Sequence, residues 1–326
     1  MIICRAPVRI SFFGGGTDYP EYFLQEGGAV LATAIDKYCY LTASPFLNQL
    51  FDYAIRVSYR KVELARQVDE IEHRVFRECL KLCGFDGGIE LHMMADLPSF
   101  TGLGSSSTFT VCLLQALHSF KGQFLTPQEL AREAIYVERQ LLRENVGCQD
   151  QVMAAFGGFN VVEFRTEEDF AVNRITLPPR RLAEFEQHLF LVFTGIQRKA
   201  SDVVAPQLKR VKENTPALRR MRAMVDQGHE ILTSQRPWRE FGELLHRAWE
   251  AKRSLDGGVS NAEIDAMYAR GQAAGAWGGK LLGAGAGGFL LFFAPPETHP
   301  QLTAAFASHQ LLSVHVNAPG SQIIHS

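Results

Sequence analysis

Three features are missing from this sequence of 326 residues: a long apolar run, a C-x-x-C pair and a large net charge. No uninterrupted apolar run approaches the roughly 18 residues of a membrane span, so we expect no membrane partner. The six cysteines include no C-x-x-C pair, so we expect reduced thiols packed in the core. Lys and Arg number 33 against 35 Asp and Glu, which gives a net charge of -2 and no global field to hold a nucleic acid.

The composition is that of a folded globular protein. Hydrophobic residues make up 46% of the chain and charged residues 21%, which excludes a disordered chain or a coiled coil. The length suggests two domains, for which we predict the ranges 1–185 and 186–326. The start Met1–Phe13 lacks the charge and apolar order of a signal peptide, so we expect a cytoplasmic protein.

The periodicity of the apolar residues predicts an α+β fold in both halves. A helix at Ser105–Phe120 is apolar nearly all round and should be buried. A second helix should begin with a capping box at Thr126 and Glu129 and run to Arg143. Other predicted helices are Asp69–Cys83, Asp202–Gln227, Trp238–Ser254 and Asn261–Ala274; predicted strands are Ile2–Phe13, Ala29–Ala43, Gly88–Met93, Gly158–Phe164, Leu189–Phe193 and Ser313–Asn317, with a strand also within Lys280–Pro295.

A glycine-rich segment, Pro98–Ser107, leads directly into the predicted buried helix. Glycines at a helix N-terminus expose unpaired N–H groups at the positive end of the helix dipole, which favours phosphate binding. Serine hydroxyls there can also ligate Mg²⁺. No Gly-Lys-Ser/Thr follows, so this is not a Walker A loop. An ordinary serine N-cap after a glycine turn is the alternative.

Two further glycine clusters stand near the two ends of the chain. Gly283–Gly288 satisfies G-x-G-x-x-G, but a strand follows it where a dinucleotide-binding motif needs a helix. It is a ligand-contacting loop or a simple tight turn. Gly14, Gly15 and Gly16 precede Asp18, whose carboxylate suits the hydroxyls of a small polar ligand such as a sugar, or caps its own turn.

Two carboxylates in the middle of the chain stand out by their positions. Glu138 shares a helical row with Ala131, Ile135 and Leu142, so its side chain points toward an apolar face. A buried carboxylate needs a partner or a metal. Asp150 follows in the segment Asn145–Gln151. The two side chains are candidates for a magnesium ligand and a proton acceptor, or one of them is hydrogen-bonded to a nearby cap.

In this order along nearly the whole chain, the segments resemble the GHMP small-molecule kinases, named for galactokinase, homoserine kinase, mevalonate kinase and phosphomevalonate kinase. Their A-P-x-R segment matches Ala6–Arg9, their P-x-x-x-G-L-x-S-S loop matches Pro98–Ser106, and their late glycine loop matches Lys280–Gly288. The resemblance implies an N-terminal half like the second domain of ribosomal protein S5 and a ferredoxin-like C-terminal half. ATP and substrate would meet between them.

The resemblance also implies roles for single residues. The ATP phosphates would be wrapped by the first and the last glycine loop, at Gly102, Leu103, Gly104, Ser105, Ser106, Ser107, Gly285 and Gly287. Ser106 and Glu138 would hold Mg²⁺. Asp150 would be the catalytic aspartate, with Arg9 beside it to keep it charged. Glu138 and Asp150 are twelve positions apart, as is the equivalent pair in galactokinases.

One departure narrows the implied substrate. Galactokinases read G-E-H-T-D-Y where this chain has Gly14–Tyr19, so the sugar-binding Glu is missing. The glycine-rich version looks like that of the D-glycero-D-manno-heptose 7-phosphate kinases, which phosphorylate the anomeric hydroxyl on the way to GDP-heptose and surface polysaccharide. Losing the Glu side chain makes room for a further carbon and removes a charge that would repel a sugar phosphate. Gly15, Gly16 and Asp18 would face the sugar.

The distal phosphate of such a substrate needs cations. Our candidate is the basic pair Arg198 and Lys199, since Arg grips phosphate bidentately; a solvated pair at a helix start is the alternative. The implied substrates are a small sugar phosphate and ATP. The resemblance is also compatible with a homodimer. The alternatives are a fucokinase-type sugar 1-kinase and a non-catalytic sugar-binding regulator. The retention of both Glu138 and Asp150 argues against the regulator.

Overall fold

The computed structural model describes residues 1–198 and 200–326, with the backbone alone at positions 48 and 200–202. Its strands are β1 Ile2–Phe13, β2 Gly28–Pro45, β3 Ile55–Ser58, β4 Val62–Ala65, β5 Ile89–Ala95, β6 Phe159–Phe164, β7 Phe170–Arg174, β8 Leu189–Phe193, β9 Gly278–Leu281, β10 Phe289–Phe293, β11 Leu311–Leu312 and β12 Gln322–His325. Its helices are α1 Pro20–Glu26, α2 Arg74–Leu82, α3 Ser105–Phe120, α4 Pro127–Tyr136, α5 Gln149–Phe156, α6 Pro179–Gln187, α7 Ala200–Lys209, α8 Val211–Thr233, α9 Trp238–Arg253, α10 Ala262–Ala273 and α11 His299–Ala305.

Eight strands form the larger sheet, and the 18-residue strand β2 is its centre. One edge of β2 pairs with β1, while the opposite edge pairs with β6 at its start and with β5 at its end, all antiparallel. The buried helix α3 packs against β1 and β2. This arrangement places the N-terminus of α3 beside the buried side chains of β1.

The smaller sheet has the order β11-β8-β10-β9 and is antiparallel throughout. An aromatic core joins it to the larger sheet. The ring of Phe12 on β1 lies 5.5 Å from Phe241 on α9, and Phe241 lies 5.0 Å from Phe293 on β10. Rings at this spacing attract one another beyond their burial. The two sheets are therefore held by one continuous core, beside which the candidate site forms.

The predicted α+β fold with two halves is confirmed, and several elements match closely. Helix α3 has the predicted bounds, and α4 carries the predicted capping box at Thr126 before continuing as a π-helical turn, Val137–Leu141. All six cysteines are buried and free, as expected. The predicted domain boundary at residue 185 falls inside α6 and stays a prediction. The C-terminal strand β12 pairs with β1 in the larger sheet.

Other predicted elements were wrong. Ser313–Asn317 is not a strand: it forms a single bridge from Val316 to Ile35, because the positive φ of Asn317, 63°, turns the chain. The predicted helix from Asp69 begins only at Arg74, after a 3₁₀ turn. The long helix Asp202–Gln227 is divided at Arg210 into α7 and α8. The polar stretch after β6 contains a strand, β7, and a helix, α6, that the periodicity does not predict.

Candidate active site

A cleft opens where the first glycine loop, 98–107, meets the late glycine loop, 283–288. The two loops touch through their backbones: a Cβ atom added at Gly283 would lie 2.5 Å from the Cα of Gly102. Phe289 N–H also donates to the carbonyl of Thr101 at 3.1 Å. Glycine is therefore required at this contact, since any side chain would separate the loops. Two segments far apart in the sequence form one wall.

The first loop ends at the N-terminus of α3 without a side-chain cap. Gly104 is the N-cap residue, with φ of 80°, and as a glycine it has no side chain to cap the helix. The alternative of a serine N-cap is therefore wrong. Ser105, Ser106 and Ser107 line the cleft, and Ser106 is exposed. A helix N-terminus without a capping side chain suits an anion.

Arg9 and Asp150 form the ion pair that the motifs predict. Arg9 Nε donates to Asp150 Oδ1 at 2.7 Å, and its NH2 group donates to Oδ2 at 2.9 Å. The remaining NH1 group donates to the carbonyl of Gly102 at 2.8 Å, which fixes the guanidinium to the first loop. The Arg9 side chain is 6% exposed and that of Asp150 is 23% exposed. Asp150 is thus held in one orientation and remains open to the cleft.

Asp18 is buried beside the cleft, and Gly16 and Gln149 donate hydrogen bonds to its carboxylate. Gly16 N–H donates to Oδ1 at 2.9 Å, and the Gln149 side-chain amide donates to Oδ2 at 2.9 Å. Burial raises the pKa of this carboxyl, and the nearby Asp150 charge raises it further, against those hydrogen bonds. Asp18 caps its own turn, as the alternative had it. It also lines the cleft beside Gly15 and Gly16.

Glu138 is buried, as its helical row predicts, with 1% of the residue exposed. Its Oε2 atom accepts from Ser107 Oγ at 2.8 Å and from the Gln151 side-chain amide at 2.6 Å. Its Oε1 atom has no hydrogen-bond partner among the described residues. Burial raises the pKa of the carboxyl to about 7, although the nearby hydroxyls of Thr110 and Ser107 and the Gln151 amide lower it. The serine that contacts Glu138 is Ser107 rather than Ser106.

Two buried lysines line the cleft and were missed in the sequence. Lys252, on the last turn of α9, donates to the carbonyl of Gly283, and Lys280 donates to the carbonyls of Ser11 and Phe12 at 3.0 and 2.9 Å. Burial lowers the pKa of Lys252 to about 8, and the nearby Arg9 guanidinium lowers it too. The sequence did contain a sign that Lys252 would be buried. It continues the apolar helical row of Leu245 and Trp249, as Glu138 continues an apolar row on its own helix.

Arg198 also lines the cleft, with an exposed side chain. Its predicted companion, Lys199, lies outside the described residues. Gly285 and Gly287 line the opposite wall, beside Gly283. Leu103 is buried beneath the first loop, and its carbonyl accepts from Arg9 N–H at 3.1 Å. The described cleft residues thus bring Arg9, Arg198, Lys252 and Lys280 together with two carboxylates, a balance that suits anionic ligands.

Comparison with known proteins identifies the class. The family model described as "GHMP kinases N terminal domain" matches residues 71–158, and "GHMP kinases C terminal" matches residues 230–310. Together they cover just over half of the chain. The chain belongs to the GHMP kinases, and the expected two-domain GHMP kinase fold is confirmed. Within that family it is an ATP-dependent sugar kinase.

Individual relatives are similar to most of this chain, but the share of their own length that is matched differs. The D-glycero-alpha-D-manno-heptose 7-phosphate kinase of Campylobacter jejuni is 29% identical over 94% of this chain and 93% of its own. The L-fucokinase/L-fucose-1-P guanylyltransferase of Bacteroides fragilis is 27% identical over 89% of this chain, but over 34% of its own. A solved D-glycero-D-manno-heptose 1-phosphate kinase from Bacteroides thetaiotaomicron, 24% identical, shares the fold over the whole of both chains with a TM-score of 0.81.

Among the helices in the described ranges, none is long and apolar enough to cross a membrane.

Proposed function

We propose that this kinase transfers the γ-phosphoryl group of ATP to the anomeric hydroxyl of D-glycero-α-D-manno-heptose 7-phosphate. The product is the 1,7-bisphosphate, a precursor of GDP-heptose and surface polysaccharide. The observation that carries this substrate is the similarity to the Campylobacter jejuni enzyme along nearly all of both chains. The four cations that line the cleft support it, because both substrates would be polyanions.

The space beside Gly15 also supports a larger substrate. A Cβ atom at Gly15 would lie 3.6 Å from Ser11 Oγ and 3.8 Å from the Gln149 amide nitrogen, which are ordinary contacts. Its φ is not in the left-handed region. The backbone therefore does not demand glycine at this position, and the room that a glutamate would fill in a galactokinase is left to the ligand. Ser11 Oγ and Gln149 Oε1 are buried without partners among the described residues and suit sugar hydroxyls.

In the mechanism we propose, Asp150 accepts the proton of the anomeric hydroxyl as that oxygen attacks the γ-phosphorus. Arg9 neutralises the carboxylate through two parallel hydrogen bonds and sets its direction. Phosphate oxygens of ATP bind to the N–H groups at the start of α3 and in the late glycine loop. These N–H groups offset the negative charge that develops on the phosphoryl group during transfer. Asp18, held by Gly16 and Gln149, accepts from sugar hydroxyls with its remaining lone pairs.

The residues near the start of α3 supply oxygen donors suited to Mg²⁺, although Glu138 is buried and is not among the described residues that line the cleft. Glu138 has one buried oxygen without a partner, and Ser106 exposes its hydroxyl to the cleft. Oxygen donors of this kind are those that Mg²⁺ prefers. Ser106 and Glu138 would hold the ion, with Ser107 orienting the carboxylate, and the bound ion would neutralise charge on the ATP phosphates.

Removing either proposed magnesium ligand should weaken activation by Mg²⁺ while leaving the affinity for the sugar unchanged. Ser106→Ala and Glu138→Gln should each shift the magnesium activation curve to about tenfold higher concentration or more, since each removes one ligand. Ser119→Ala, at the far end of α3, is the matched control. If the magnesium activation curves of both variants are unchanged, Ser106 and Glu138 are not magnesium ligands and have only packing or capping roles.

Lys252 should bind the ATP phosphates beside the late glycine loop, and its titration should appear in the pH profile. The pKa is lowered to about 8, so the cation is present below that pH and is lost as the pH rises through it. We therefore expect kcat/KM for ATP, which reports the free enzyme, to fall above about pH 8. Lys252→Met should lose about tenfold at pH 7, whereas Lys252→Arg should remove the alkaline fall. An alkaline fall that persists in Lys252→Arg would assign it to another group.

A fucokinase-type sugar 1-kinase is the second candidate, and the similarity to the Bacteroides fragilis protein favours it. A coupled ADP-release assay with heptose 7-phosphate, mannose 6-phosphate, fucose and galactose distinguishes the two. Our proposal expects the highest kcat/KM for heptose 7-phosphate. Faster turnover of fucose would replace it with the second candidate.

A further inference from the structure

A cysteine, a histidine and a glutamate from three helices converge outside the cleft. Cys83 caps the end of α2, His118 lies in the last turn of α3, and Glu133 lies on α4. His118 Nε2 is 3.7 Å from Cys83 Sγ and 2.8 Å from Glu133 Oε2. The three atoms all lie within 4.8 Å of one another. Cys83 is 9% exposed, and the side chains of His118 and Glu133 are 14% and 21% exposed.

The arrangement around His118 is not that of a proton relay. In a nucleophilic triad, the nucleophile and the carboxylate contact opposite nitrogens of the imidazole. Here both contact Nε2, and Nδ1 lies 3.0 Å from the side-chain oxygen of Gln123. The Gln123 oxygen accepts from Nδ1–H, and in the metal-free protein the Glu133 carboxylate accepts from Nε2–H, so a bound ion would replace that second proton. Metal-binding histidines are oriented in this way by an outer hydrogen bond.

We propose that Cys83, His118 and Glu133 form a binding site for a divalent cation of the zinc type. Zinc takes thiolate at about 2.3 Å and imidazole nitrogen or carboxylate oxygen at about 2.0 to 2.2 Å, so its tetrahedral ligands lie roughly 3 to 4 Å apart. His118 Nε2 lies 3.7 Å from Cys83 Sγ and 2.8 Å from Glu133 Oε2, and the third separation is within 4.8 Å, so enclosing an ion requires the side chains to adjust around it. One thiolate among the ligands favours Zn²⁺ over Mg²⁺ or Ca²⁺.

The surroundings suit three protein ligands and a water. The partial exposure of His118 and Glu133 leaves an entry path and an open fourth position. Lys121 donates to the carbonyls of Cys83 and Gly84, which holds its ammonium on the peptide groups. Binding would displace the thiol and imidazole protons and join the ends of α2, α3 and α4. The expected effect is a higher unfolding temperature with Zn²⁺ present.

Cobalt titration of the full-length, metal-free protein tests the proposal. Co²⁺ should bind with one equivalent and produce a thiolate-to-cobalt charge-transfer band in the near ultraviolet, which Zn²⁺ should abolish by competition. The described cleft residues include no cysteine, so Co²⁺ bound there would not give this band. Cys83→Ser should abolish the band, and His118→Gln or Glu133→Gln should weaken binding by at least about tenfold. Cys4→Ala and Glu138→Gln are the controls and should retain the band.

Two results would overturn the proposal. One is the absence of the charge-transfer band in the parent protein at saturating Co²⁺. The other is a band of unchanged intensity and midpoint in both Cys83→Ser and His118→Gln, which would place the thiolate elsewhere. Thermal unfolding with and without Zn²⁺ provides a readout that is independent of kinase activity. The parent and the Glu138→Gln control should be stabilised by Zn²⁺, and Cys83→Ser should not.

Discussion

Asp150→Asn should lower kcat by about 10² to 10⁴ while ATP binding is retained, because the amide cannot accept the proton of the anomeric hydroxyl. The asparagine oxygen still accepts one of the two hydrogen bonds from Arg9, so the buried guanidinium keeps a partner. The measurement is a coupled ADP-release assay together with equilibrium binding of ATP and a thermal unfolding curve.

The matched control for this variant is Asp226→Asn, an exposed carboxylate on α8 that pairs with Arg222. Its kcat should equal that of the parent enzyme. Asp150 would be a structural residue, and the proposed base would be wrong, if well-folded Asp150→Asn kept a nearly normal kcat.

The unphosphorylated heptose should be a far poorer substrate than the 7-phosphate, and Arg198 should account for much of the difference. A charge-assisted hydrogen bond to a phosphate contributes roughly 1.5 to 3 kcal/mol. One such bond corresponds to about a tenfold to hundredfold change in kcat/KM. Arg198→Ala should therefore slow turnover of the phosphorylated sugar by that factor and barely change turnover of the free sugar.

Arg180→Ala, at a fully solvated arginine on α6, is the control for a general loss of positive charge. It should change neither rate. Equal turnover of the two sugars by the parent enzyme would show that the substrate is a free sugar. A normal phosphate preference in Arg198→Ala would place the phosphate on other cations, with Lys252 the first to examine.

Local patterns in the sequence were enough for the elements that carry the chemistry. Helix α3 was predicted with its bounds because a glycine turn and a continuous apolar surface mark both its start and its burial. Glu138 was predicted to be buried because it interrupts an apolar helical row, and its 1% exposure agrees. The same pattern at Lys252 was overlooked. A charged residue within an apolar helical row therefore indicates a buried charge that is a candidate for the site.

Contacts between distant segments could not be predicted from local sequence patterns. The backbone contact of Gly102 with Gly283 joins segments about 180 positions apart, and only the resemblance to a family suggested that they meet. The division of the helical run at Arg210 and the turn at Asn317 likewise depend on tertiary structure, since the apolar period continues through both. The sequence pattern also did not reveal that Ser107, rather than Ser106, would contact Glu138.

The position of the new phosphate in the product tests the proposed function most directly. The enzyme is incubated with ATP, Mg²⁺ and D-glycero-α-D-manno-heptose 7-phosphate, and the product is assigned by phosphorus–proton correlation NMR. We expect one new phosphorus signal coupled to the anomeric proton, with the original phosphate still on C7. A phosphate on any other carbon, or no product from this sugar while fucose is phosphorylated, would contradict the proposed function.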